Sequence, residues 1–314
     1  MSSATIFVPA YAKINLTLSA LGRRADGYHE LASVMQTISL HDTLRFSMGD
    51  EASGADTFTC DVDELAGPDN LVARAVALLR AEAEQEGRAF PAVVTQLSKE
   101  TPTQGGLGGG SSDAATTLAT LNTLLGLDLT RDRLEELAGR LGSDIPYLVT
   151  GGTARIFGRG ERVEPLPDIE PLWVALVTPA APVATAALFR ALTPADYGDA
   201  SATEALVAAI CARRPIPFEA LENTLESVVF RLYPEVARAR DYLLEMGAPL
   251  VRMSGSGPSL FVPSRDVREA AGIVKRATSA GFRAWLCHTI PQTAIAVSRP
   301  NPTTETDRAV VRRT

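Results

Sequence analysis

A run of glycine in the middle of the chain constrains its fold more than any other feature. In the segment PTQGGLGGGSSDAA, five of the six positions from Gly105 to Gly110 are glycine, and an alanine-rich amphipathic pattern follows directly. Because glycine has no Cβ, several backbone N–H groups can turn toward one anion, and the positive end of a helix dipole adds to that attraction. We expect the helix to begin at Ser111 or Ser112, which are good N-cap residues. The pattern therefore predicts a phosphate-binding loop.

Three other interpretations of this glycine loop fit less well. A flexible linker is seldom followed so abruptly by a strong helix, and ordering many glycines has an entropic cost that a bound ligand could offset. The P-loop motif requires Lys followed by Ser or Thr after its last glycine, whereas Gly110 is followed by Ser111. The dinucleotide fingerprint places its third glycine at another spacing and lies in a first βαβ unit. A cation for the phosphates must therefore come from elsewhere in the chain.

The N-terminal segment alternates between apolar and polar residues, which is typical of a β-strand. From Ile6 to Ala20 every even position is apolar, whereas the odd positions include Lys13 and Asn15. Since alternate side chains leave opposite faces of a strand, these two residues should emerge together on the face away from the core. A solvated face is the simplest interpretation, but Lys13 could also supply the cation that the glycine loop lacks.

The elements along the chain indicate an α+β protein in two parts. Helices are expected after Asn70 and after Thr130, and the Gly-, Pro- and charge-rich stretch between Gly151 and Pro171 marks a domain junction. Beyond that stretch, the order helix, strand, strand, helix, strand predicts helices on one face of a mainly antiparallel sheet.

Composition narrows the functional class. The formal charge of −7 argues against a protein that binds nucleic acid through a general excess of basic residues. No apolar stretch approaches the roughly 18 to 20 residues that span a bilayer, and no signal-peptide pattern opens the chain, so we expect a cytoplasmic protein with no membrane partner. The three cysteines and three histidines lack the spacings of a metal site, and no transition-metal ion is expected.

Three segments together resemble the GHMP small-molecule kinases: YAKINLTLSALGRRADGYHEL near the start, the glycine loop, and MSGSGPSLF late in the chain. The resemblance extends to about Arg299 and implies a two-domain α+β fold. It implies an N-terminal ATP-binding domain over residues 1–160, a ferredoxin-like α+β domain over 161–300, and a tail over 301–314 without a family role.

The same resemblance implies an ATP-dependent kinase for a small alcohol. AKIN followed by RADGYH is similar to members whose substrate is a cytidine-diphosphate sugar alcohol. ATP and Mg²⁺ are the implied cofactors, and a monomer or weak homodimer is the implied state.

Individual residues also match positions with a role in the family. Lys13 and Asp144 match the catalytic pair, in which the carboxylate polarises the substrate hydroxyl and the lysine balances the charge of the transferring group. By its place in LGSDIPY alone, Asp144 would more simply be a helix cap. Positions that contact ATP match Asn70, Lys99, Pro102, Thr103, Gln104, Gly105, Gly106, Leu107, Gly108, Gly109, Gly110, Ser111, Ser112, Gly255, Ser256 and Gly257. Positions that contact the substrate match Asn15, Tyr28, His29, Thr185 and Phe189, with Tyr28 and Phe189 stacked on the cytosine ring.

One position departs from the family pattern, and the magnesium ligands are not evident from it. Gln104 stands where a glycine or another small residue is usual, and no carboxylate besides Asp144 is clearly placed to bind magnesium, so no metal ligand is predicted.

Two rival functions share the glycine loop. A sibling kinase for homoserine or mevalonate would not need RADGYH or Phe189. A non-catalytic sugar or nucleotide sensor would not need both Lys13 and Asp144.

Overall fold

The computed structural model describes residues 5–48 and 55–298, with the side chains of 296–298 left out. The expected tail over 301–314 lies outside the described residues, as do the last two residues of the expected second domain. The strands are β1 (Ile6–Arg23), β2 (His29–Met48), β3 (Thr57–Cys60), β4 (Val93–Ser98), β5 (Thr153–Gly158), β6 (Arg162–Pro165), β7 (Trp173–Thr178), β8 (Glu222–Asn223), β9 (Arg252–Met253), β10 (Leu260–Ser264) and β11 (Arg283–His288). The α-helices are α1 (Leu71–Gln85), α2 (Gly109–Leu124), α3 (Arg131–Leu141), α4 (Ile145–Thr150), α5 (Thr185–Ala191), α6 (Ser201–Cys211), α7 (Glu226–Leu232), α8 (Pro234–Glu245), α9 (Val267–Ser279) and α10 (Gln292–Ser298).

The first sheet is built on two long antiparallel strands, β1 and β2. Because β2 is long, it pairs with β1 along most of its length and also with β4 near one end and β5 near the other. The strand order is β3-β4-β2-β1-β8, and β6 pairs with β5. Helices α1 to α4 bury apolar residues such as Leu79, Leu118 and Leu137 in one core with this sheet. The helices α1 and α3 follow Asn70 and Thr130 directly, as predicted. Each of these two side chains accepts a hydrogen bond from a backbone N–H in the first turn of its helix.

The strand β1 differs from a simple half-buried strand. Its register against β2 shifts at three places, and its apolar residues serve different cores: Val8 packs with α1 to α4, Ile14 packs between the two sheets, and Leu18 packs in the second domain. Lys13 and Asn15 do lie side by side, but they are only 3% and 2% exposed. The expected solvated face was wrong, because residues from the second domain cover this part of the strand.

The second sheet has the order β11-β7-β10-β9, and every neighbouring pair is antiparallel. Helices α5 to α8 follow β7 and α9 follows β10, which gives a split βαββαβ arrangement. The packing of α9 against β7, β10 and β11 covers one face of the sheet. The ferredoxin-like α+β fold predicted for this half is confirmed.

The two halves of the chain are interlocked rather than joined by one linker. The strand β6 lies past the expected border at residue 160, yet it extends the first sheet through β5. The strand β8 returns from the second half to pair with β1 in parallel. None of the helices in the described ranges has both the length and the apolar composition that crossing a bilayer requires.

Candidate active site

A cavity of about 1060 Å³ lies between the two halves of the molecule. Its volume is at the upper end of the range for small-molecule sites, so it has room for two ligands. Both glycine-rich segments and all five residues expected to bind substrate reach it. The expected site residues that line it are Lys13, Asn15, Tyr28, His29, Gln104, Gly106, Gly108, Asp144, Thr185, Phe189, Gly255 and Ser256.

The glycine loop leads directly into α2, whose first turn faces the loop. Gly108 is the N-cap residue with φ of +69°, so α2 begins at Gly109 and not at Ser111 or Ser112 as expected. A backbone with this left-handed φ cannot be part of the helix, so Gly108 ends the loop and Gly109 is the first helical residue. Glycine adopts this conformation without the strain that a side chain would cause. The first amides of α2 have no partner within the helix and can bind an anion.

The middle and the ends of the loop are anchored to its surroundings. The backbone N–H of Lys13 donates to the carbonyl of Leu107 at 2.9 Å, and the Ser112 hydroxyl donates to the carbonyl of Tyr11 at 2.6 Å. Both of these bonds attach the loop to β1. Of the other loop positions expected to contact ATP, Pro102 is buried, Ser111 and Gly109 are half-buried, and Thr103 and Gly110 are exposed.

The second glycine segment packs against the first through main-chain atoms. A Cβ added to Gly106 would lie 2.2 Å from the carbonyl oxygen of Ser254 and 3.0 Å from the backbone nitrogen of Gly257. The Ser254 hydroxyl donates to the carbonyl of Gly106 at 2.9 Å, and the backbone N–H of Ser259 donates to the carbonyl of Gly105 at 3.2 Å. Glycine is therefore required at position 106 by contact with the other domain.

Gln104 departs from the family pattern at a position with an unusual backbone. Its φ is +56°, in the left-handed region that glycine adopts readily and other residues adopt rarely. The glutamine side chain lines the cavity beside Gly106.

Lys13 and Asp144 meet at the point where the two glycine segments converge. The Lys13 ammonium lies 3.6 Å from the Asp144 carboxylate, an ion pair longer than a hydrogen bond, and it donates to Asn15 Oδ1 at 2.6 Å. Gly255 lets the second segment approach closely, because a Cβ there would lie 3.2 Å from Lys13 Nζ. Burial lowers the pKa of Lys13, and the Asp144 charge offsets part of that effect.

Asp144 occupies a helix N-cap position but does not cap the helix. It precedes α4, and its side chain makes no hydrogen bond to the first turn. That side chain is 40% exposed and faces the cavity, while Lys13 is 4% exposed. A carboxylate that could have capped a helix is instead available to a ligand.

The cavity is cationic although the chain as a whole is acidic. Arg23, Arg159, Arg190 and Lys13 line it, whereas Asp144 is the one carboxylate among the lining residues of the described chain. Opposite charges at short range in a partly enclosed site attract strongly. The cavity therefore suits ligands that carry several phosphate groups.

An aromatic wall closes the far end of the cavity. The rings of His29 and Phe189 have centroids 5.3 Å apart, and the His29 and Tyr197 centroids are 5.9 Å apart. Burial lowers the pKa of His29, with the nearby Arg23 charge adding to the effect. Tyr28 is 55% exposed, and the guanidinium of Arg159 lies 4.8 Å from its ring centroid. A planar base cannot fit between His29 and Phe189 as they stand, with their centroids 5.3 Å apart, and both residues line the cavity together with Tyr28 and Tyr197.

Two residues expected to contact ATP are engaged elsewhere. Asn70 caps α1 and donates to the carbonyl of Leu65 at 2.9 Å. Lys99 forms ion pairs with Asp42 and Asp113. Thr185 and Ser256, in contrast, meet at the cavity with their hydroxyl oxygens 2.9 Å apart.

Sequence reasoning missed several residues of the site. Tyr197 and Arg159 lie in loops without a recognisable motif, so no local signal could have found them. Ser254 was inside the late glycine segment and bonds to both Gly106 and, at 3.4 Å, the backbone N–H of Asn15. The polar serine in the segment MSGSG was the one signal that could have indicated Ser254.

Two family models match separate parts of the chain. The model of the GHMP kinases N terminal domain matches residues 70–152, which hold the glycine loop and Asp144. The model of the GHMP kinases C terminal matches residues 206–283, which hold the second glycine segment.

Curated relatives and solved structures match nearly the whole chain. A 4-diphosphocytidyl-2-C-methyl-D-erythritol kinase of Moorella thermoacetica is 42% identical over 86% of this chain and 93% of its own length. One from Symbiobacterium thermophilum is 41% identical over 90% of this chain and 99% of its own. The crystal structure of a 4-(cytidine 5'-diphospho)-2C-methyl-D-erythritol kinase superposes with a TM-score of 0.77 at 33% identity, covering 90% of this chain and 99% of that one. A homoserine kinase from Cytophaga hutchinsonii, at 18% identity and a TM-score of 0.67 over 93% and 96% of the chains, shares the fold.

Proposed function

Because this chain belongs to the GHMP kinase family, and within it to the 4-diphosphocytidyl-2-C-methyl-D-erythritol kinases, we propose the reaction that its site carries out. The protein transfers the terminal phosphoryl group of ATP to the 2-hydroxyl of 4-(cytidine 5'-diphospho)-2-C-methyl-D-erythritol, in the non-mevalonate route to isoprenoid precursors. One observation carries this proposal at the level of residues: a buried lysine and an exposed carboxylate meet 3.6 Å apart between two glycine segments. A cytoplasmic location and a monomer or weak homodimer stay predictions from the sequence.

The glycine loop is proposed to hold the phosphates of ATP. The fit rests on the left-handed Gly108, the free first turn of α2, and the close approach that Gly106 and Gly255 permit. Amides aimed at a phosphate from a fixed loop need no rearrangement when charge develops, which is the main way that enzymes stabilise a transferring phosphoryl group.

Lys13 and Asp144 are proposed to act on the reacting oxygens. Asp144 accepts or orients the proton of the 2-hydroxyl, and its partial exposure lets a substrate oxygen reach it. The Lys13 ammonium, held by Asn15 at 2.6 Å, balances the negative charge that builds on the transferring group. Asn15 thus orients the lysine as well as facing the substrate.

Mg²⁺ is also a proposal, and the residues present fit it. The ion usually binds one or two carboxylates together with phosphate oxygens and waters, and Asp144 would offer it a carboxylate in the cavity. When bound, Mg²⁺ neutralises phosphate charge and aligns the terminal phosphoryl group.

The aromatic wall is proposed to bind the cytosine ring. Tyr28 and Phe189 line the cavity, and aromatic faces bind unpaired bases by stacking. The arginines that line the same cavity are suited to the diphosphate of the substrate.

The test is ADP release by the purified protein with ATP, magnesium and the cytidine substrate. We expect turnover with this substrate and none with homoserine or mevalonate. Turnover of either small alcohol with no response to the cytidine compound would indicate a sibling kinase, and binding without ADP release would indicate a sensor.

A further inference from the structure

Three charged side chains form a buried cluster beneath the glycine loop. The Lys99 ammonium donates to the Asp42 carboxylate and, at 2.8 Å, to Oδ2 of Asp113. The side chains are 6%, 0% and 1% exposed, respectively. Asp42 is on β2, Lys99 follows β4, and Asp113 is in α2, so the cluster joins three elements of the first domain.

The cluster holds the chain where the loop begins. Oδ1 of Asp42 accepts hydrogen bonds from the backbone N–H groups of Glu100 and Thr101, each at 2.7 Å. Those two residues immediately precede the segment from Pro102 to Gly110. Charge-assisted bonds of this kind are about twice as strong as neutral ones, so the entry of the loop is fixed.

The same cluster holds the chain where the loop ends. Asp113 lies in the second turn of α2, and Lys99 links it to the side chain that anchors the entry. The two ends also touch directly, because a Cβ on Gly109 would lie 2.9 Å from Cγ2 of Thr101 and 3.4 Å from Oδ2 of Asp42. The loop between them therefore has a set span.

The charges of the cluster are unequal, with two carboxylates for one ammonium. The two carboxylates outweigh burial and raise the pKa of Lys99, so the ammonium stays charged. Burial raises the pKa of Asp113 to about 8, with Lys99 opposing the shift, and Oδ2 of Asp113 accepts from Lys99. Replacing a buried ion pair by apolar residues is often neutral or stabilising, so stability alone does not account for this cluster.

We propose that Asp42, Lys99 and Asp113 are positioning residues that clamp the two ends of the glycine loop at the span that ATP phosphates require. The inference rests on the proposed function, because the loop is taken to bind ATP. It differs from the role that the family resemblance implied for Lys99, since the ammonium already donates to two carboxylates and the side chain is only 6% exposed.

The main test is Lys99→Met, which keeps the length of the side chain and removes its charge. We expect the KM for ATP to rise about tenfold or more, since breaking a buried pair is strongly unfavourable, while kcat and the KM for the cytidine substrate change less than about threefold. The same rise should appear with GTP, because the clamp acts on phosphates. A rise confined to ATP would mean that Lys99 contacts adenine and would overturn the proposal.

A second pair of variants separates positioning from folding. Asp113→Ala should raise the KM for ATP about as much as Lys99→Met, and Asp113→Asn, which keeps an acceptor for Lys99, should recover most of that loss. Glu82→Gln is the matched control: it weakens the Arg133–Glu82 ion pair in the same domain, with Glu82 7% exposed, and should lower the melting temperature without moving either KM. Equal effects on both KM values in the clamp variants would contradict the proposal. Wild-type turnover, measured first, tests the proposed function separately.

Discussion

The two walls of the cavity recognise their ligands in different ways. At the glycine wall, the main chains of Gly106 and Ser254 pack so closely that a Cβ added to Gly106 would collide with the Ser254 carbonyl oxygen. At the aromatic wall, side chains carry the contacts, and Tyr28 is 55% exposed. Phosphate groups are the same in every nucleotide and suit a fixed backbone, whereas the base is specific to one substrate and suits side chains that can change without altering the fold. We therefore expect catalysis and ATP binding to depend on the first wall, and substrate choice on the second.

The largest effect is expected where the two walls meet. Asp144→Asn should lower kcat by about 10²- to 10⁴-fold, because the hydroxyl proton loses its acceptor. The KM for the cytidine substrate should change little, since the aromatic wall is not altered. ADP release at saturating substrates measures the effect, and Asp56→Asn, which weakens a surface ion pair with Arg80, is the control. Near-normal turnover of Asp144→Asn would show that the carboxylate has no part in the reaction.

The next effect tests the rigidity of the glycine wall. Gly106→Ala combines a φ of +73° with a collision against Ser254, so we expect the free energy of unfolding to fall by about 2–4 kcal/mol and the KM for ATP to rise steeply. Gly126→Ala is the matched control, because Gly126 has a φ of +59° and open space around it. Its loss should be limited to about 1–2 kcal/mol of backbone strain, with no change in KM. Urea unfolding and ATP titrations give both quantities, and equal losses would mean that contact between the domains is unimportant.

A smaller effect is expected at the aromatic wall. Tyr28→Ala should raise the KM for the cytidine substrate by about 5- to 150-fold, the equivalent of about 1–3 kcal/mol of stacking, and leave the KM for ATP unchanged. Phe7→Ala is the control. Its ring is 67% exposed, lies 5.8 Å from the Arg45 guanidinium, and is on β1 away from the cavity. It should change neither KM. Equal losses for both ligands in Tyr28→Ala would remove the distinction between the walls.

Much of the fold was predictable because it depends on local pattern. The caps at Asn70 and Thr130, the strand at Ile6 to Ala20, and the strand and helix order of the second domain all follow from short-range chemistry. The burial of Lys13 was not predictable from its strand, because the covering residue Ser254 lies 239 positions from Asn15 in the chain.

The site was predictable only where a motif carried it. The glycine segments and the pair Lys13 and Asp144 were found through the family's sequence motifs. Their family roles stay predictions at the level of single residues. The start of α2 was misplaced because propensity favours serine caps, whereas the left-handed Gly108 decides the outcome. Tyr197 and Asp42 carry no local signal, since each matters only through neighbours that the fold brings to it.

The smallest effect concerns stability rather than activity. Burial lowers the pKa of Lys13 in the folded state, so between that pKa and the ordinary lysine value the unfolded chain binds more protons and stability rises with pH. Lys13→Met removes this titration, so its free energy of unfolding, relative to that of the wild type, should fall as the pH rises toward the ordinary lysine value. Denaturant unfolding near neutral pH and in the lysine range measures this shift. Lys275→Met, at an exposed position of α9, is the control and should show no such pH dependence.

The short strand β8 has a consequence for anyone who divides this protein. Glu222 and Asn223 come from the second half of the chain but complete the edge of the first sheet beside Thr17 and Leu18. Asn223 also donates to the carbonyls of Met253 and Gly255, so this residue also braces the second glycine segment. A fragment cut at residue 160 would expose an unpaired strand edge and would tend to aggregate. The two fragments should become useful only when co-expressed, as complementing pieces whose reassembly restores turnover.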